Sequence, residues 1–167
     1  GEEVLHLEIS LGYQHRGVER ALLRGPAIRR LHYAETLAGD TTVGHVLAWC
    51  QAVEALAWPE GEGAPLRAQA WRAVALELER LANHIGDLGA LAGDVGFLPT
   101  LSWCGRLRGE FLNLTAVLCG NRFGRGLVRP GGVGSDVDED VASRIGERLR
   151  AAIRDAESAV GLLWQTP

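Results

Sequence analysis

The sequence lacks the features that would assign it at once to several common function classes. It contains no apolar run of about 20 residues, the length that a membrane-spanning helix requires. It has no phosphate-binding loop signature, no zinc-hydrolase signature and no Cys-x-x-Cys pair. Basic residues number 17 against 21 acidic ones, and the net charge of −4 argues against a nucleic-acid partner or an anionic membrane surface.

Cysteine is scarce and has no recognisable pairing pattern. The three cysteines, Cys50, Cys104 and Cys119, are an odd number without metal-binding spacing, which predicts free buried thiols in a reducing compartment. The first residues have neither the basic start nor the apolar stretch of a signal peptide. We therefore expect a cytoplasmic location.

The composition is that of a folded domain. Of the 167 residues, 47% are hydrophobic and 23% charged, which allows one domain with its own core. Apolar and polar residues alternate from Leu5 to Leu11, the period of a half-buried β-strand, and no partner strand follows. Because a lone strand cannot satisfy its own backbone hydrogen bonds, we expect residues 1–167 to be a single domain that is a fragment of a larger protein.

Helical signals dominate from Arg16 onward. Breakers, capping residues and apolar periodicity predict a short helix before Gly25 and further helices over residues 26–37, 43–58, 65–92 and 102–119. A last helix begins after Ser135, the predicted N-cap, where acidic residues suit the positive helix end. The predicted fold is mainly α, a helical bundle with a short N-terminal β-strand or hairpin remnant.

The fourth predicted helix has three faces. Its core-facing stripe has apolar residues at steps of three and four: Val74, Leu78, Leu81, Ile85, Leu88 and Ala92. One flank has small residues that let another backbone come close: Ala82, Gly86, Gly89 and Gly93. The other flank is a polar stripe: Glu77, Arg80, His84 and Asp87.

This polar stripe has two interpretations. Periodicity alone favours a solvated helix face. Because the other two faces take up most of the helix circumference, the stripe is also a candidate buried surface against a cofactor or a partner subunit. The arginines of the following glycine-rich loop, Arg122, Arg125 and Arg129, divide in the same way between an anion or partner contact and carboxylate pairing or helix capping.

Four strings in this order resemble one family. They are GYQHRGVE at 12–19, GDTTVGH at 39–45 followed by CQAVE at 50–54, ELERLANH at 77–84, and RPGGV at 129–133. Together they are similar to the large subunits of nickel–iron hydrogenases, the family that includes the quinone-site D subunit of respiratory complex I. The resemblance covers most of the chain. It implies an α-rich subunit that packs against a small iron–sulfur subunit in a membrane-attached redox complex.

Nickel-containing members of that family hold their metal with two Cys-x-x-Cys pairs. A family histidine beyond the first pair falls on His45, and counting back from it places the two cysteine positions on Ala38 and Thr41. Neither side chain supplies the thiolate that nickel and iron require in such sites, and the second pair would lie beyond Pro167. We therefore predict a nickel-free member, with no residue of this chain acting as a metal ligand.

The quinone-site residues of complex I are only partly matched. Asp94 falls on an aspartate that backs the quinone-site histidine, and Arg16 matches an arginine that faces the terminal iron–sulfur cluster. The quinone-site tyrosine falls on Gly39, and a histidine beside the cluster is replaced by Gly124. The resemblance thus marks Arg16, His45 and Asp94 as candidate cluster- or quinone-facing residues, and none as catalytic. The alternatives are a structural ion pair for Arg16, a core or capping role for His45 and a capping role for Asp94.

The resemblance implies a subunit of an NADH:quinone-oxidoreductase-like or energy-converting-hydrogenase-like complex that frames an electron-acceptor site at the inner face of the membrane. Iron–sulfur clusters, quinone and NADH would belong to the complex, since nothing in these residues binds NADH. The alternatives are a scaffold without a redox site, or a quinone site with other donors such as His45 or Tyr33. Besides the iron–sulfur subunit, the expected partners are other complex subunits and, indirectly, the membrane arm. Five tryptophans favour self-association of the isolated chain.

Overall fold

Residues 3–61 and 63–166, the part of the chain that the computed structural model describes, contain six α-helices and one two-stranded hairpin. The helices are α1 (Val18–Arg24), α2 (Arg30–Ala34, after a 3-10 turn at Ala27–Arg29), α3 (Thr42–Ala57), α4 (Leu66–Asp94), α5 (Leu98–Cys119) and α6 (Glu139–Trp164). The strands are β1 (Val128–Arg129) and β2 (Gly132–Val133). The prediction of a mainly α fold is confirmed.

The three long helices α4, α5 and α6 form the main layer, with α5 packed against both of the others. Leu78, Ile85, Leu107, Phe111 and Ile145 lie at the centre of their shared core. The predicted apolar stripe of α4 is confirmed, because Ala92 is buried and the other members are buried in this core or packed against it. A second cluster joins α3 and the hairpin to the ends of α4 and α5.

The predicted small-residue flank of α4 is the surface on which α5 packs. A Cβ atom at Gly89 would lie 2.9 Å from the Cβ of Cys104, closer than two such atoms can approach. At Gly93 it would lie 3.3 Å from a methyl group of Leu101. The close backbone approach predicted from these glycines is therefore confirmed.

The predicted N-terminal strand does not form. Residues 3–12 have no strand partner in the described part of the chain, and Leu5, Leu7, Ile9 and Leu11 are all exposed. The antiparallel pair lies instead at the other end of the sequence, where Val128 pairs with Val133 and Arg129 with Gly132. The alternation of apolar and polar residues is a local pattern, whereas a strand also needs a neighbouring strand to share its backbone hydrogen bonds.

Several helix boundaries differ from their predictions, and the helix predicted over residues 26–37 ends already at Ala34. Helix α5 begins at Leu98 rather than near Ser102, with Pro99 in its first turn, where a missing N–H costs nothing. The N-cap of α6 is Asp138 rather than Ser135, because the Asp138 carboxylate accepts a hydrogen bond from the Val141 amide at 2.8 Å. No described helix combines the length and hydropathy needed to cross a bilayer.

The three cysteines are free thiols. Cys50 and Cys104 are buried and Cys119 is half-buried. Burial raises the pKa of Cys50 to about 11 and also raises the pKa of the other two thiols. All three are therefore protonated at neutral pH, as expected of thiols that are shielded from water.

Candidate functional site

The segment between α2 and α3, residues 36–41, contains the positions at which the resemblance expects metal ligands. Arg16 holds its first half. The guanidinium of Arg16 donates to the carbonyl oxygens of Thr36 at 2.6 Å and Leu37 at 2.8 Å. A guanidinium suits this place because it has several N–H donors and carbonyl oxygens only accept. Arg16 thus anchors the segment 36–41, which follows α2.

His45 closes the same segment at its other end. Its Nδ1 lies 2.7 Å from the carbonyl oxygen of Thr41, and the ring is half-buried. Since a carbonyl oxygen only accepts, Nδ1 carries a proton in this contact. The structure therefore brings Arg16 and His45 to opposite ends of one short loop.

The start of α3 is held by a carboxylate from another helix. Thr41, the N-cap residue, makes no side-chain capping bond. Instead, Glu79 of α4 accepts hydrogen bonds from the amides of Val43 at 2.6 Å and Gly44 at 2.9 Å. Free amides and the positive end of the helix dipole stabilise a carboxylate here. Asn83, one turn further along α4, donates to the carbonyl oxygen of Asp40 at 3.1 Å.

Sequence reasoning missed the role of Glu79. The threonines before α3 predict a local cap, so nothing in that segment indicates that a distant residue is needed. The available signal was the position of Glu79 on α4, between the small-residue flank and the polar stripe, where a carboxylate is buried and must find donors.

A buried ion pair holds the hairpin. Arg72 donates to Glu54 at 3.0 and 2.5 Å, and both side chains are buried. The pKa of Glu54 lies below its usual range, and the hydrogen bond from Arg72 is the largest cause of this shift. Arg72 also donates to the carbonyl oxygens of Arg129 and Gly132, while Glu54 accepts from the amide of Gly131 at 2.7 Å.

A third buried carboxylate holds the loop before the hairpin. Glu35 accepts a hydrogen bond from the amide of Gly126 at 2.6 Å. Glu35, Glu54 and Glu79 thus each bind backbone amides of a segment distant in sequence. The three carboxylates therefore act as structural anchors.

The nickel positions of the family do not fit the metal here. Ala38 has no donor atom, and the hydroxyl of Thr41 donates to the Asp40 carboxylate at 3.2 Å. The nearest thiol along the chain, Cys50, is part of the apolar core cluster around α3. Within residues 3–61 and 63–166, His, Cys, Asp and Glu form no cluster of three or more that could ligate a metal. That this protein is nickel-free stays a prediction.

Asp94 is not brought to the loop that Arg16 and His45 hold. It is the last residue of α4 and is exposed. At a rise of about 1.5 Å per residue, it lies roughly 16 Å further along the helix than Asn83, which contacts Asp40. Tyr33, the other suggested quinone donor, is half-buried, and its ring packs over Gly25.

The polar stripe of α4 is not buried by this chain. Glu77, Arg80, His84 and Asp87 are all exposed, and Arg80 pairs with Glu77 one turn away. Within the described chain, α5 and α6 pack on the small and apolar faces of α4, which leaves the polar stripe on the outside. Its burial against a cofactor or a partner subunit stays a prediction.

The loop arginines separate into two environments. Arg129 donates from Nε to the carbonyl oxygen of Gly126 at 3.3 Å and lies over Gly134, so it belongs to the hairpin. Arg122 points towards a small cleft between α4 and α5 that Arg108 also lines. Gly124 has φ +73°, and a Cβ there would lie 2.5 Å from a methyl group of Val43.

The family comparison agrees with the resemblance seen in the four strings. A family model described as respiratory-chain NADH dehydrogenase, 49 Kd subunit, matches residues 94–167. The D subunit of NADH-quinone oxidoreductase from Saccharopolyspora erythraea is 34% identical to this chain over 151 residues, covering 87% of the chain and 32% of that protein.

Two further relatives represent both branches of the resemblance. The membrane-bound hydrogenase subunit alpha of Pyrococcus furiosus is 30% identical over 139 residues, covering 83% of this chain and 32% of that protein. NADH-quinone oxidoreductase subunit 4 of Thermus thermophilus is 30% identical over 167 residues, covering 100% of this chain and 40% of that protein. The chain thus spans 32% to 40% of the length of these relatives.

Proposed function

This chain belongs to the family that unites the 49-kDa subunit of respiratory-chain NADH dehydrogenase with the hydrogenase large subunits, and from that premise we propose that it serves as a subunit of a membrane-associated, multi-subunit oxidoreductase. In this proposal, residues 1–167 are one domain of a longer protein, at the inner face of the cell membrane. The domain packs against a small iron–sulfur subunit and frames the electron-acceptor site. Iron–sulfur clusters, quinone and NADH are bound by the complex.

One observation carries this proposal. The loop 36–41 is contacted by Arg16, His45 and Asn83, and Glu79 holds the start of the helix that follows it. The side chains at Ala38 and Thr41 supply no thiolate for nickel. This anchoring supports a role of the loop in shaping a site at which a neighbouring redox group or its acceptor is placed.

The experiment uses the full-length protein co-expressed with its iron–sulfur subunit. We expect Arg16→Gln to lower electron transfer to quinone roughly tenfold or more, because small misplacements at a redox site are costly. It should also shift the electron paramagnetic resonance signal of the partner's cluster. The control is Arg20→Gln, at an exposed position on α1. Unchanged rate and signal in Arg16→Gln, or stoichiometric nickel in the purified protein, would overturn the proposal.

A second candidate function is a structural or assembly scaffold without a redox site. The observation that favours it is Gly124, which replaces a family histidine. Because a Cβ at this position would collide with Val43 and the backbone has a positive φ, a histidine does not fit the loop as it is packed here. A surface that has lost this group supports a subunit that only holds others together.

Binding of a quinone analogue to the assembled complex separates the two functions. A frame for an acceptor site predicts that the analogue protects Asp94 or the segment 36–41 from hydrogen exchange or chemical labelling. A pure scaffold predicts no protection there, together with loss of assembly when the segment is disrupted. Binding of the analogue is also measured with Asp94→Asn, at the exposed end of α4, and with the matched control Asp87→Asn, in its exposed middle.

A further inference from the structure

Two arginines converge on a cleft that borders the loop 36–41. Arg108 comes from α5 and Arg122 from the loop after α5, and both line a cavity of about 10 Å³ beside Asn83 and Phe123. Neither guanidinium has a hydrogen-bond or ion-pair partner in the part of the chain that the structure describes. A guanidinium has five N–H donors in a fixed planar arrangement, so two unpaired groups side by side offer many donors to one acceptor.

Two glycines position these side chains. A Cβ at Gly86 would lie 3.1 Å from Cδ and 3.2 Å from Nε of Arg108, so the arginine crosses α4 at the place where α4 has no side chain. A Cβ at Gly109 would lie 3.8 Å from a terminal nitrogen of Arg122, which passes close over α5. The helix surfaces therefore hold both stems near the cleft.

The carboxylates of the cleft are engaged elsewhere. Asp40 and Glu79 line the same cavity. Both oxygens of Glu79 accept hydrogen bonds from amides at the start of α3, and one carboxylate oxygen of Asp40 accepts a hydrogen bond from the hydroxyl of Thr41. Because neither carboxylate pairs with Arg108 or Arg122, the donors of the two arginines remain open to an acceptor from outside the chain.

The size of the cleft limits what that acceptor is. A cavity of about 10 Å³ has room for roughly one water-sized group. One oxygen atom of an anion fits this space with the rest of the anion at its mouth, whereas the six-membered ring of a quinone does not fit. Planar oxyanions are also the partners that the guanidinium geometry matches in two-point hydrogen bonds.

We propose that Arg108 and Arg122 form a binding site for a single oxyanion, a carboxylate or phosphate group. The oxyanion bridges α5 to the loop that follows it and accepts hydrogen bonds from arginine donors that the two carboxylates of the cleft leave unpaired. It comes either from a free anion or from an acidic side chain of a neighbouring subunit. The site is independent of the function proposed above, since it requires only the described cleft.

The test compares thermal unfolding of the full-length protein in phosphate, acetate and chloride at equal ionic strength. We expect phosphate or acetate to raise the unfolding temperature more than chloride. The apparent affinity should fall about tenfold or more in Arg122→Gln and in Arg108→Lys, which keeps the charge but loses the planar fork. Arg125→Gln is the control, since Arg125 is exposed on the same loop and does not line the cleft.

Equal responses to all three anions, or equal responses of the variants and the wild-type protein, would overturn the proposal. Arginine labelling of the assembled complex then identifies the source of the anion. Protection of Arg122 that depends on added phosphate indicates a free anion. Protection that persists without phosphate and disappears when the complex is dissociated indicates an acidic side chain of a neighbouring subunit.

Discussion

Glu79 lies on α4, yet its carboxylate caps the start of α3 through the amides of Val43 and Gly44. Glu35 and Glu54 act in the same way, since their carboxylates accept hydrogen bonds from amides of the glycine-rich loop and the hairpin. At the residue scale, buried acids in this protein are paired with backbone donors and so avoid the cost of an unpaired buried charge.

Glu79→Gln should lower the free energy of unfolding by about 1–3 kcal/mol, because glutamine loses the charge and one of the two acceptors. Urea unfolding measures the change. The matched control is Glu77→Gln on the exposed face of the same helix, where loss of a surface ion pair should cost at most about 1 kcal/mol. Equal losses of unfolding free energy in the two variants would show that the Glu79 cap contributes no more to stability than a surface ion pair.

Glu54 should make stability depend on pH in the acid range. Hydrogen bonds from Arg72 hold the pKa of Glu54 in the folded chain below its usual value of 4.5. A lowered folded-state pKa means that this stabilisation is complete above pH 4.5 and is lost as the pH falls through the folded-state pKa.

Unfolding free energies measured from pH 6 down to about pH 3 check this dependence. We expect Glu54→Gln to be less stable at neutral pH and to lose less stability on acidification than the wild-type protein. Asp136, whose pKa Arg67 lowers in the same direction, is exposed, so Asp136→Asn should flatten the curve less. An unchanged curve in Glu54→Gln would contradict the assignment.

At the element scale, the packing of α4 on α5 depends on the small flank of α4. Gly89 faces Cys104 with no room for a Cβ, whereas Gly105 on α5 is exposed with nothing within 4 Å of the position of a Cβ. The two glycines are both inside helices, so they have the same cost in helix propensity and differ only in their surroundings.

Gly89→Ala should therefore destabilise the protein by about 1–3 kcal/mol through overpacking, even though alanine is the better helix former. Gly105→Ala should stabilise it by about 0.5–1 kcal/mol, since only the helix propensity changes. Thermal or urea unfolding of the two variants gives the comparison. A gain in stability in both would show that the helices separate easily at Gly89.

At the scale of the whole molecule, an apolar groove of about 520 Å³ lies between α4 and α6, with Leu88, Phe111, Val160 and Trp164 among its lining residues. Trp164 is 73% exposed. Large exposed apolar surfaces favour association, so the self-association predicted from the tryptophan content has a definite surface on which to occur.

Light scattering of the isolated chain should give a mass above the 18.0 kDa monomer at high concentration. Trp164→Glu should shift the mass towards the monomer by placing a charge in the groove. Leu56→Glu, a comparably exposed position on α3 outside the groove, should leave the mass unchanged. A monomer at every concentration would rule out association through this groove.

Local pattern was sufficient to predict the helices, the apolar stripe and the small flank of α4, and motif spacing was sufficient for the family. The partner of each strand or helix face was not predictable in the same way. The alternation at Leu5 to Leu11 is real, but whether a strand forms depends on a neighbour that alternation does not specify. The polar stripe shows a similar limit, because helical periodicity gives the faces of a helix but not which of them a partner covers.

The sequence by itself determined the helical fold, the family and the absence of sulfur at Ala38 and Thr41, since each depends only on residue type and spacing along the chain. Only the tertiary structure decided which distant groups meet: Glu79 with the start of α3, Arg72 with the hairpin, and Arg108 with Arg122. The physical reason is that hydrogen bonds and charges act over a few ångströms in space, whereas sequence patterns report only neighbours along the chain.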